Sequence, residues 1–419
     1  MNASVQGRGE HLVTADRGFA SASLSARILG RFPAAFFHRL IDRLDAAFDA
    51  GSMEGALPDG TTRFIGGRGP GPVAQITIHR WSAFVRLMLS GSVGWFKAWM
   101  NGEWSSEDPV AVFAAFSANR RTLADAGRAR GPMRWINHLH HALRRNSRAG
   151  AARNIHAHYD LGNDFYAAWL DTSMTYSSGM SVAPDEPLEI AQRRKIDAIL
   201  DRLDLASGQL LLEIGCGWGA LGRRAVDRFG VAFTGLTLSD AQAAHARALL
   251  GESAIVVRDY RDQTGTFNAI ASVEMVEAVG QDYWPTYLDT IVRLLKPGGK
   301  AAIQYIAIDD ANFPAYAANA DFIQTYVFPG GCLLSASQFR TLAEERGLAW
   351  QDQHDFPDDY AETLKRWRQN YDTALAEARL PSGFPPEFHR LWRYYLMYCE
   401  GGFRGGGITV AQVTLQKAG

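Results

Sequence analysis

The stretch LLEIGCGWGAL, residues 211–221, places three glycines at alternate positions directly after an apolar run. Glycines between a strand and a helix let the backbone approach a ligand closely, next to the polar N-terminus of that helix. The spacing does not complete the dinucleotide motif GxGxxG. Because a tight turn without a ligand uses the same residues, the loop alone is weak evidence for a binding site.

The residues around this loop favour a nucleoside ligand. Glu213 lies in the strand before the loop, and the next predicted strand ends at LTLSDAQ, where a ribose-binding group belongs in a doubly wound sheet. RDYRD follows the third strand, where Asp259 and Tyr260 are suited to frame an adenine. Since the loop lacks the pyrophosphate motif, S-adenosylmethionine fits these residues better than NAD does.

Glu277 is the second residue whose type and position suggest chemistry. It follows a predicted strand within SVEMVEAVG, in an apolar context. A lone buried carboxylate is costly unless it is paired, so we interpret Glu277 as functional. His156 and His158 have no third ligand at suitable spacing, so we expect no metal site.

The elements that must position these residues alternate between strand and helix. Strands are predicted at QLLLEIG, VAFTGLTL, AIVVRD, FNAIASVE and KAAIQYIAI, with helices at KIDAILDRL, ALGRRAVDRFG, SDAQAAHARALL and TYLDTIVRLLKPGG. This order is typical of a parallel, doubly wound α/β sheet.

Composition narrows the class of protein. The chain has 419 residues, 47% hydrophobic content and a net charge of -1, so it can bury a large core and is not expected to bind nucleic acid. Three scattered cysteines fit a reducing cytoplasm rather than a disulfide framework. We find neither a secretory signal nor an apolar run of transmembrane length, so any membrane contact is expected to be peripheral.

Three regions of the chain differ in composition and predicted structure. Residues 1–117 are predicted to form a small α+β domain that contacts lipid or a second subunit, and residues 154–419 form the domain with the glycine loop. Between them, residues 118–153 contain many arginines and one acidic residue, Asp125. This Arg-rich segment is either a solvated linker helix, an interfacial helix on anionic lipid or, least in keeping with the neutral chain, a nucleic-acid patch.

Several motifs together resemble the cyclopropane-fatty-acid synthase family of S-adenosylmethionine-dependent methyltransferases. In chain order they are NIHAHYDLGNDFYAAWLD, MTYSSGM, LEIGCGWGAL, LTLSDAQ, DYRD, SVEMVEAVG, YVFPGG and YCEGGFRGGGI. The resemblance runs from about residue 153 to the C-terminus and more loosely through the N-terminal region. It implies a Rossmann-like class I methyltransferase domain that follows a smaller N-terminal α+β domain.

The resemblance also implies a cofactor site. Tyr176 and Ser177 match a pair that closes over the cofactor, and Gly215 and Gly217 match the glycines under its methionine part. The other positions expected along this site are Glu213, Thr237, Leu238, Gln242, Asp259, Tyr260 and Val273.

The chemistry implied by the family is methyl transfer to a cis double bond in a phospholipid acyl chain. In ring-forming members, a bicarbonate ion removes the proton that leaves afterwards. Of the positions that hold this ion, the chain keeps Glu277, Ile306 and Tyr360, but has Ser178 in place of Cys and Gln304 in place of His. Two further departures are Ala278 for the usual His and Glu274 for the usual Gly.

These departures favour a displaced or absent bicarbonate, because glutamine lacks the charge of an imidazolium and Glu274 would repel an anion. We therefore expect a methyl-branched or methylene acyl chain as product, with cyclopropane formation as the alternative. We also consider an enzyme that N-methylates a small amine and a lipid-binding module without catalysis.

The expected setting of this reaction is the surface of a phospholipid bilayer. We expect a homo-oligomeric cytoplasmic enzyme that associates peripherally with the inner face of the membrane.

Overall fold

A computed structural model describes residues 7–14, 32–126, 161–318 and 321–419. The strands, in chain order, are β1 Ser52–Ala56, β2 Thr62–Gly66, β3 Val73–Ile78, β4 Trp104–Ser105, β5 Leu210–Ile214, β6 Ala232–Thr237, β7 Ile255–Val257, β8 Phe267–Val273, β9 Leu295–Ile308, β10 Leu334–Ser335, β11 Leu348–Asp355 and β12 Ile408–Lys417. The α-helices are α1 Glu10–Val13, α2 Ala34–Ala46, α3 Ser82–Met100, α4 Pro109–Ala118, α5 Arg120–Ala126, α6 Asn163–Ala167, α7 Leu188–Asp201, α8 Ala220–Phe229, α9 Asp240–Leu250, α10 Trp284–Leu294, α11 Phe313–Ala317, α12 Ala336–Glu344, α13 Pro357–Ala376 and α14 Pro386–Arg404.

The chain divides into two compact units. The first unit combines the described parts of residues 1–143 with residues 311–329 and 382–407, and the second unit holds the rest. Two segments that lie far along the sequence therefore belong with the N-terminal residues. The functional boundaries expected at 1–117, 118–153 and 154–419 stay a prediction.

The first unit contains a four-stranded sheet in the order β2-β1-β3-β4. Strand β3 alternates exposed and buried residues, so one face of this sheet packs inward. A separate aromatic cluster joins helix α3 to the two late segments. In it the ring of Phe96 lies 4.5 Å from that of Phe322 and 4.9 Å from that of Tyr394. Buried aromatic rings in such tilted arrangements stabilise a core.

The second unit is built on a sheet in the order β11-β12-β9-β8-β5-β6-β7, with β10 paired to β9. The pairs from β7 to β9 are parallel, whereas β12 runs antiparallel to β9 and β11. The prediction of a doubly wound α/β fold with a smaller α+β domain is confirmed. The carboxyl ends of parallel strands form the usual ligand-binding edge of such a sheet.

Helix α10 ends earlier than the sequence suggested. It stops at Leu294, and the KPGG segment that we predicted as its stop begins strand β9 instead. Within the described ranges, no helix combines the length and apolar character needed to cross a bilayer. Of the Arg-rich segment, the structure describes the end of α4, Asn119 and helix α5, and residues 127–153 lie outside the described residues.

Candidate active site

The glycine loop follows β5 in a conformation that depends on glycine. Gly215 has φ +82° and Gly217 φ +51°. The backbone N–H of Gly215 donates to the carbonyl of Leu236 at 3.0 Å. A Cβ at Gly215 would lie 2.8 Å from Cγ of Met275, whereas no heavy atom lies within 4 Å of the Cβ position at Gly217. The loop is therefore packed at its base and leaves open space above Gly217.

The end of β6 forms a buried hydrogen-bonded turn. The hydroxyl of Thr237 donates to Oε1 of Gln242 at 2.8 Å and accepts from the N–H of Ser239 at 3.1 Å. The hydroxyl of Ser239 in turn caps helix α9 by accepting from the N–H of Gln242. Leu238 is half-buried between them. Thr237 and Gln242, both expected near the ribose, are thus held together.

The residues expected beside an adenine lie after β7. Both carboxylate oxygens of Asp259 accept from the guanidinium of Arg261, at 2.8 and 2.6 Å. The ring of Tyr260 lies edge-on to that of Tyr287, with centroids 5.6 Å apart. Asp259 is therefore engaged in fixing the turn, and Tyr260 is the side chain of the pair with a ring face suited to a base.

Tyr176 and Ser177 lie in the loop before helix α7. The Tyr176 ring packs against Trp367, with centroids 5.2 Å apart. The hydroxyl of Ser177 accepts a hydrogen bond of 2.5 Å from Nζ of Lys195, and its carbonyl accepts one of 2.8 Å from Gln192. Ser177 is thus anchored through two atoms by one helix.

Glu213 is buried in the middle of the sheet. In β5 it lies opposite Gly235 of β6 and Ala271 of β8. Burial raises the pKa of its carboxyl to about 8, and the positive charge of Lys195 opposes that rise. Its Oε2 atom has no hydrogen-bond partner among the residues the structure describes.

Glu274 lies at the centre of the site. Val273 ends β8 opposite Gln304 of β9, and Glu274 follows in the left-handed region with φ +48°. Its Oε1 accepts from the N–H of Ser178 at 2.9 Å and from Nε2 of Gln304 at 2.8 Å. Its Oε2 accepts from the hydroxyl of Tyr360 at 2.6 Å. Such a strained backbone held by surrounding contacts is often found at functional sites.

The charge of Glu274 is stabilised by these donors and opposed by burial. The residue as a whole is half-buried. Desolvation of its carboxyl raises the pKa, while the hydrogen bonds from Tyr360, Ser178 and Gln304 and the charge of Lys195 lower it; the net pKa is raised. The hydroxyl of Ser178 does not take part, because it donates to the carbonyl of Gly179.

Glu277 is the second carboxylate of the site. It lies in the turn Val276–Ala278, and its Oε1 accepts from the N–H of Ile306. Burial, together with the neighbouring Glu274 charge, raises its pKa to about 8. Oε2 of Glu277 is buried without a hydrogen-bond partner in the described part of the chain. The structure thus brings together all five residues expected to handle the proton, around two carboxylates.

Two polar residues of this site were missed from the sequence. Lys195 is 1% exposed on α7, and Gln412 of β12 donates from Nε2 to Oε1 of Gln304 at 3.0 Å. Lys195 belongs to the buried stripe of its helix, so its spacing could have revealed it. Gln412 could not be found in this way, because only the pairing of β12 with β9 brings it opposite Gln304. His156 and His158 lie outside the described residues.

The family model described as mycolic acid cyclopropane synthetase matches residues 146–413. The chain belongs to this family. The family assignment made from the sequence motifs is confirmed, and members of the family are enzymes.

Two curated relatives cover most of the chain. It is 36% identical to the tuberculostearic acid methyltransferase UfaA1 of Mycobacterium tuberculosis, over 82% of this chain and 84% of the relative. It is 32% identical to the cyclopropane-fatty-acyl-phospholipid synthase of Escherichia coli K12, over 82% of this chain and 88% of the relative. The relatives therefore include, by name, both a fatty acid methyltransferase and a cyclopropane synthase.

A solved structure of the family supports the same assignment. The mycolic acid cyclopropane synthase CmaA1, complexed with SAH and CTAB, is 30% identical and matches with a TM-score of 0.59. The match covers 64% of this chain and 98% of CmaA1.

Proposed function

We propose that this enzyme transfers a methyl group from S-adenosylmethionine to the cis double bond of an unsaturated phospholipid acyl chain, and that Glu274 removes the proton that leaves. The product is a methyl-branched or methylene acyl chain. The observation that carries this proposal is the binding of the Glu274 carboxylate by Ser178, Gln304 and Tyr360.

The residues of the second unit fit the methyl donor. The open space above Gly217 and its positive φ provide a backbone surface that a Cβ would obstruct. Thr237 and Gln242 would hold the ribose, Tyr260 would pack on the adenine, and Tyr176 and Ser177 would close over the methionine part.

The groups that the family resemblance assigns to bicarbonate already bind carboxylates of this chain. Ser178, Gln304 and Tyr360 donate to Glu274, and the N–H of Ile306 donates to Glu277. A bicarbonate ion would compete with Glu274 for its donors and would lie beside a like charge. Glu274 therefore takes the place of the bound base.

When bound, S-adenosylmethionine would supply the methyl group of its sulfonium. The π electrons of the alkene form a new C–C bond to this methyl group, and the S–C bond breaks. The acyl chain is left with a positive charge on the neighbouring carbon. Loss of a proton from the methylated carbon gives a branched alkene. If a hydride first shifts from the methylated carbon to its neighbour, loss of a methyl proton gives a methylene group. In either case Glu274 receives the proton and the C–H electron pair forms the new double bond.

The chain has features suited to a lipid surface. Phe32, Phe36 and Phe64 of the first unit are exposed aromatic side chains, which are common in surfaces that contact membranes. The first unit also has a cavity lined by apolar side chains that include Met53, Ile65 and Ile76. We propose peripheral contact with the inner face of the membrane, and a homo-oligomer stays a prediction.

Product analysis tests the proposal. The purified enzyme would be incubated with S-adenosylmethionine and vesicles of cis-monounsaturated phospholipid, in buffer purged of carbon dioxide and in buffer with added bicarbonate. Fatty acids would be identified by gas chromatography with mass spectrometry. We expect a branched or methylene chain that keeps one double bond, in equal yield in both buffers.

Other products would count against it. A cyclopropane formed only with bicarbonate would show that the ring-forming base still operates and that Glu274 does not replace it. No gain of a methyl group by any acyl chain, with methylation of a small amine instead, would overturn the proposed substrate.

A further inference from the structure

Lys195 is a buried cation that connects the two halves of the site. Its side chain extends from α7 and is 1% exposed. Nζ donates to the hydroxyl of Ser177, which we assign to the cofactor half. Because that hydroxyl is neutral, the bond alone does not compensate the buried positive charge.

The compensation comes from carboxylates around it. Glu274, Asp171 and Glu213 each favour the charged form of Lys195, while burial lowers its pKa to about 8. Asp171 also accepts a hydrogen bond from the N–H of Ser173. Gln412 accepts a hydrogen bond of 3.3 Å from the guanidinium Nε of Arg202. An isolated ammonium is expensive to bury, so this position suits it only because of its acidic neighbours.

The same charge acts on the proposed base. Nζ of Lys195 donates to the hydroxyl of Ser177, and the N–H of the next residue, Ser178, donates to Oε1 of Glu274, so two adjacent residues link the ammonium to that carboxylate. The positive charge of Lys195 favours the ionised form of Glu274, as do the neutral donors. Tyr360 faces Glu274 from α13, Glu277 faces it from the following turn, and Ser178 from the loop before α7.

We propose that Lys195 is a positioning residue for methyl transfer, whose ammonium fixes the Ser177 hydroxyl and supplies the positive charge that keeps Glu274 ionised. This inference rests on the proposed role of Glu274 as the base. It differs from a merely structural role, in which Lys195 would only fill space and anchor the loop that carries Ser177.

The chain offers a matched control in Gln192. It lies one turn before Lys195 on the same buried stripe, is fully buried, and also donates to Ser177. Gln192→Met removes a contact to Ser177 without removing a charge. Lys195→Met removes a contact to Ser177 together with the charge, and Lys195→Arg keeps the charge with a different shape.

The experiment measures methyl transfer to cis-monounsaturated phospholipid vesicles from pH 5 to 9, with folding checked by thermal melting and S-adenosylmethionine affinity by titration calorimetry. Without the lysine charge, Glu274 accepts protons more readily, so the acid limb of the rate profile should move upward by about one pH unit in Lys195→Met. We expect Gln192→Met to weaken cofactor binding without shifting the acid limb of the rate profile. Lys195→Arg should keep the acid limb near its wild-type pH.

Two results would overturn the inference. One is an unmoved limb in Lys195→Met while the wild type is active, and the other is an equal shift in Gln192→Met. Should Lys195→Met fail to fold, Lys195→Gln replaces it, because glutamine removes the charge and retains a donor. A wild type that binds S-adenosylmethionine but methylates no acyl chain would instead refute the proposed function, and this inference with it.

Discussion

A buried ion pair of the first unit and the site of the second unit hold their charges in different ways. In the first unit, Nε of Arg86 donates to Oε2 of Glu103 at 2.9 Å, and both side chains are almost fully buried. In the second unit, Lys195 bonds a neutral hydroxyl, while Glu213 and Glu277 each have a buried oxygen without a partner in the described residues. A direct pair offsets part of its own desolvation, whereas the second arrangement leaves the charges responsive to what binds there.

This contrast distinguishes a buried charge that stabilises the fold from buried charges that take part in a reaction. A directly paired buried ion is expensive to break. The site of the second unit instead holds carboxyls whose pKa values burial has raised, Glu277 to about 8. A carboxylate must be ionised to accept a proton, and at Glu274 burial opposes the ionised form while the three hydrogen-bond donors and Lys195 favour it.

The largest expected effect comes from removing the proposed base. Glu274→Gln keeps the shape of the side chain and loses its ability to accept a proton. We expect the rate of acyl methylation to fall by about 10²–10⁴-fold, as is typical for loss of a general base. Initial rates with labelled S-adenosylmethionine would measure it, with Glu345→Gln, an exposed position, as control.

Glu274→Gly sharpens the same test. It introduces the glycine that the family resemblance implies for ring-forming members and leaves the donors of Ser178, Gln304 and Tyr360 without a carboxylate. We expect added bicarbonate to restore part of the rate, since an anion can then bind those donors. A Glu274→Gln variant with wild-type rate would rule out Glu274 as the base.

The next effect concerns the paired charge of the first unit. Arg86→Met leaves Glu103 buried without its partner, which should lower the free energy of unfolding by about 3–5 kcal/mol. Urea unfolding followed by tryptophan fluorescence measures this loss. The exposed Arg80→Met is the matched control and should change stability by no more than about 0.5 kcal/mol.

Arg86→Met should lower the stability of the protein without changing the pH dependence of the reaction. Where Arg86→Met is still folded, the pH dependence of methyl transfer should match the wild type. A shifted acid limb in this variant would show that buried charge in the first unit also tunes the reaction, and the contrast between the units would fail.

Much of the second unit could be predicted from sequence, because its strands and helices carry local apolar patterns. The parallel strands from β5 to β9 and helices α8 and α9 follow from these patterns. The C-terminal antiparallel strands and the grouping of residues 382–407 with the first unit did not, since they depend on pairing between distant segments.

The site shows the same limit at the level of atoms. The motifs selected Glu277, Gln304 and Tyr360, and the unusual Glu274 stood out against the family pattern. That Ser178 contributes its backbone N–H rather than its hydroxyl depends on a local torsion that no residue type specifies.

The smallest expected effect is that of Tyr360→Phe, which tests one hydrogen bond of the site. The hydroxyl donates to Glu274 at 2.6 Å and favours the ionised carboxylate. A hydrogen bond to a charged group contributes about 1.5–3 kcal/mol, so the rate should fall by roughly 10- to 100-fold near neutral pH. Loss of the donor raises the pKa of Glu274 further, and a base must be deprotonated to act, so the acid limb of the rate profile should move to higher pH.

Part of the lost rate should therefore return at alkaline pH. Rates from pH 5 to 9, with cofactor affinity measured in parallel, separate this from a binding defect, because Tyr360 lies outside the residues assigned to the cofactor. A rate that falls equally at every pH would mean that Tyr360 acts on the carbocation or on packing. In that case the contrast between the two units would rest on Lys195 and the carboxylates without help from the neutral donors.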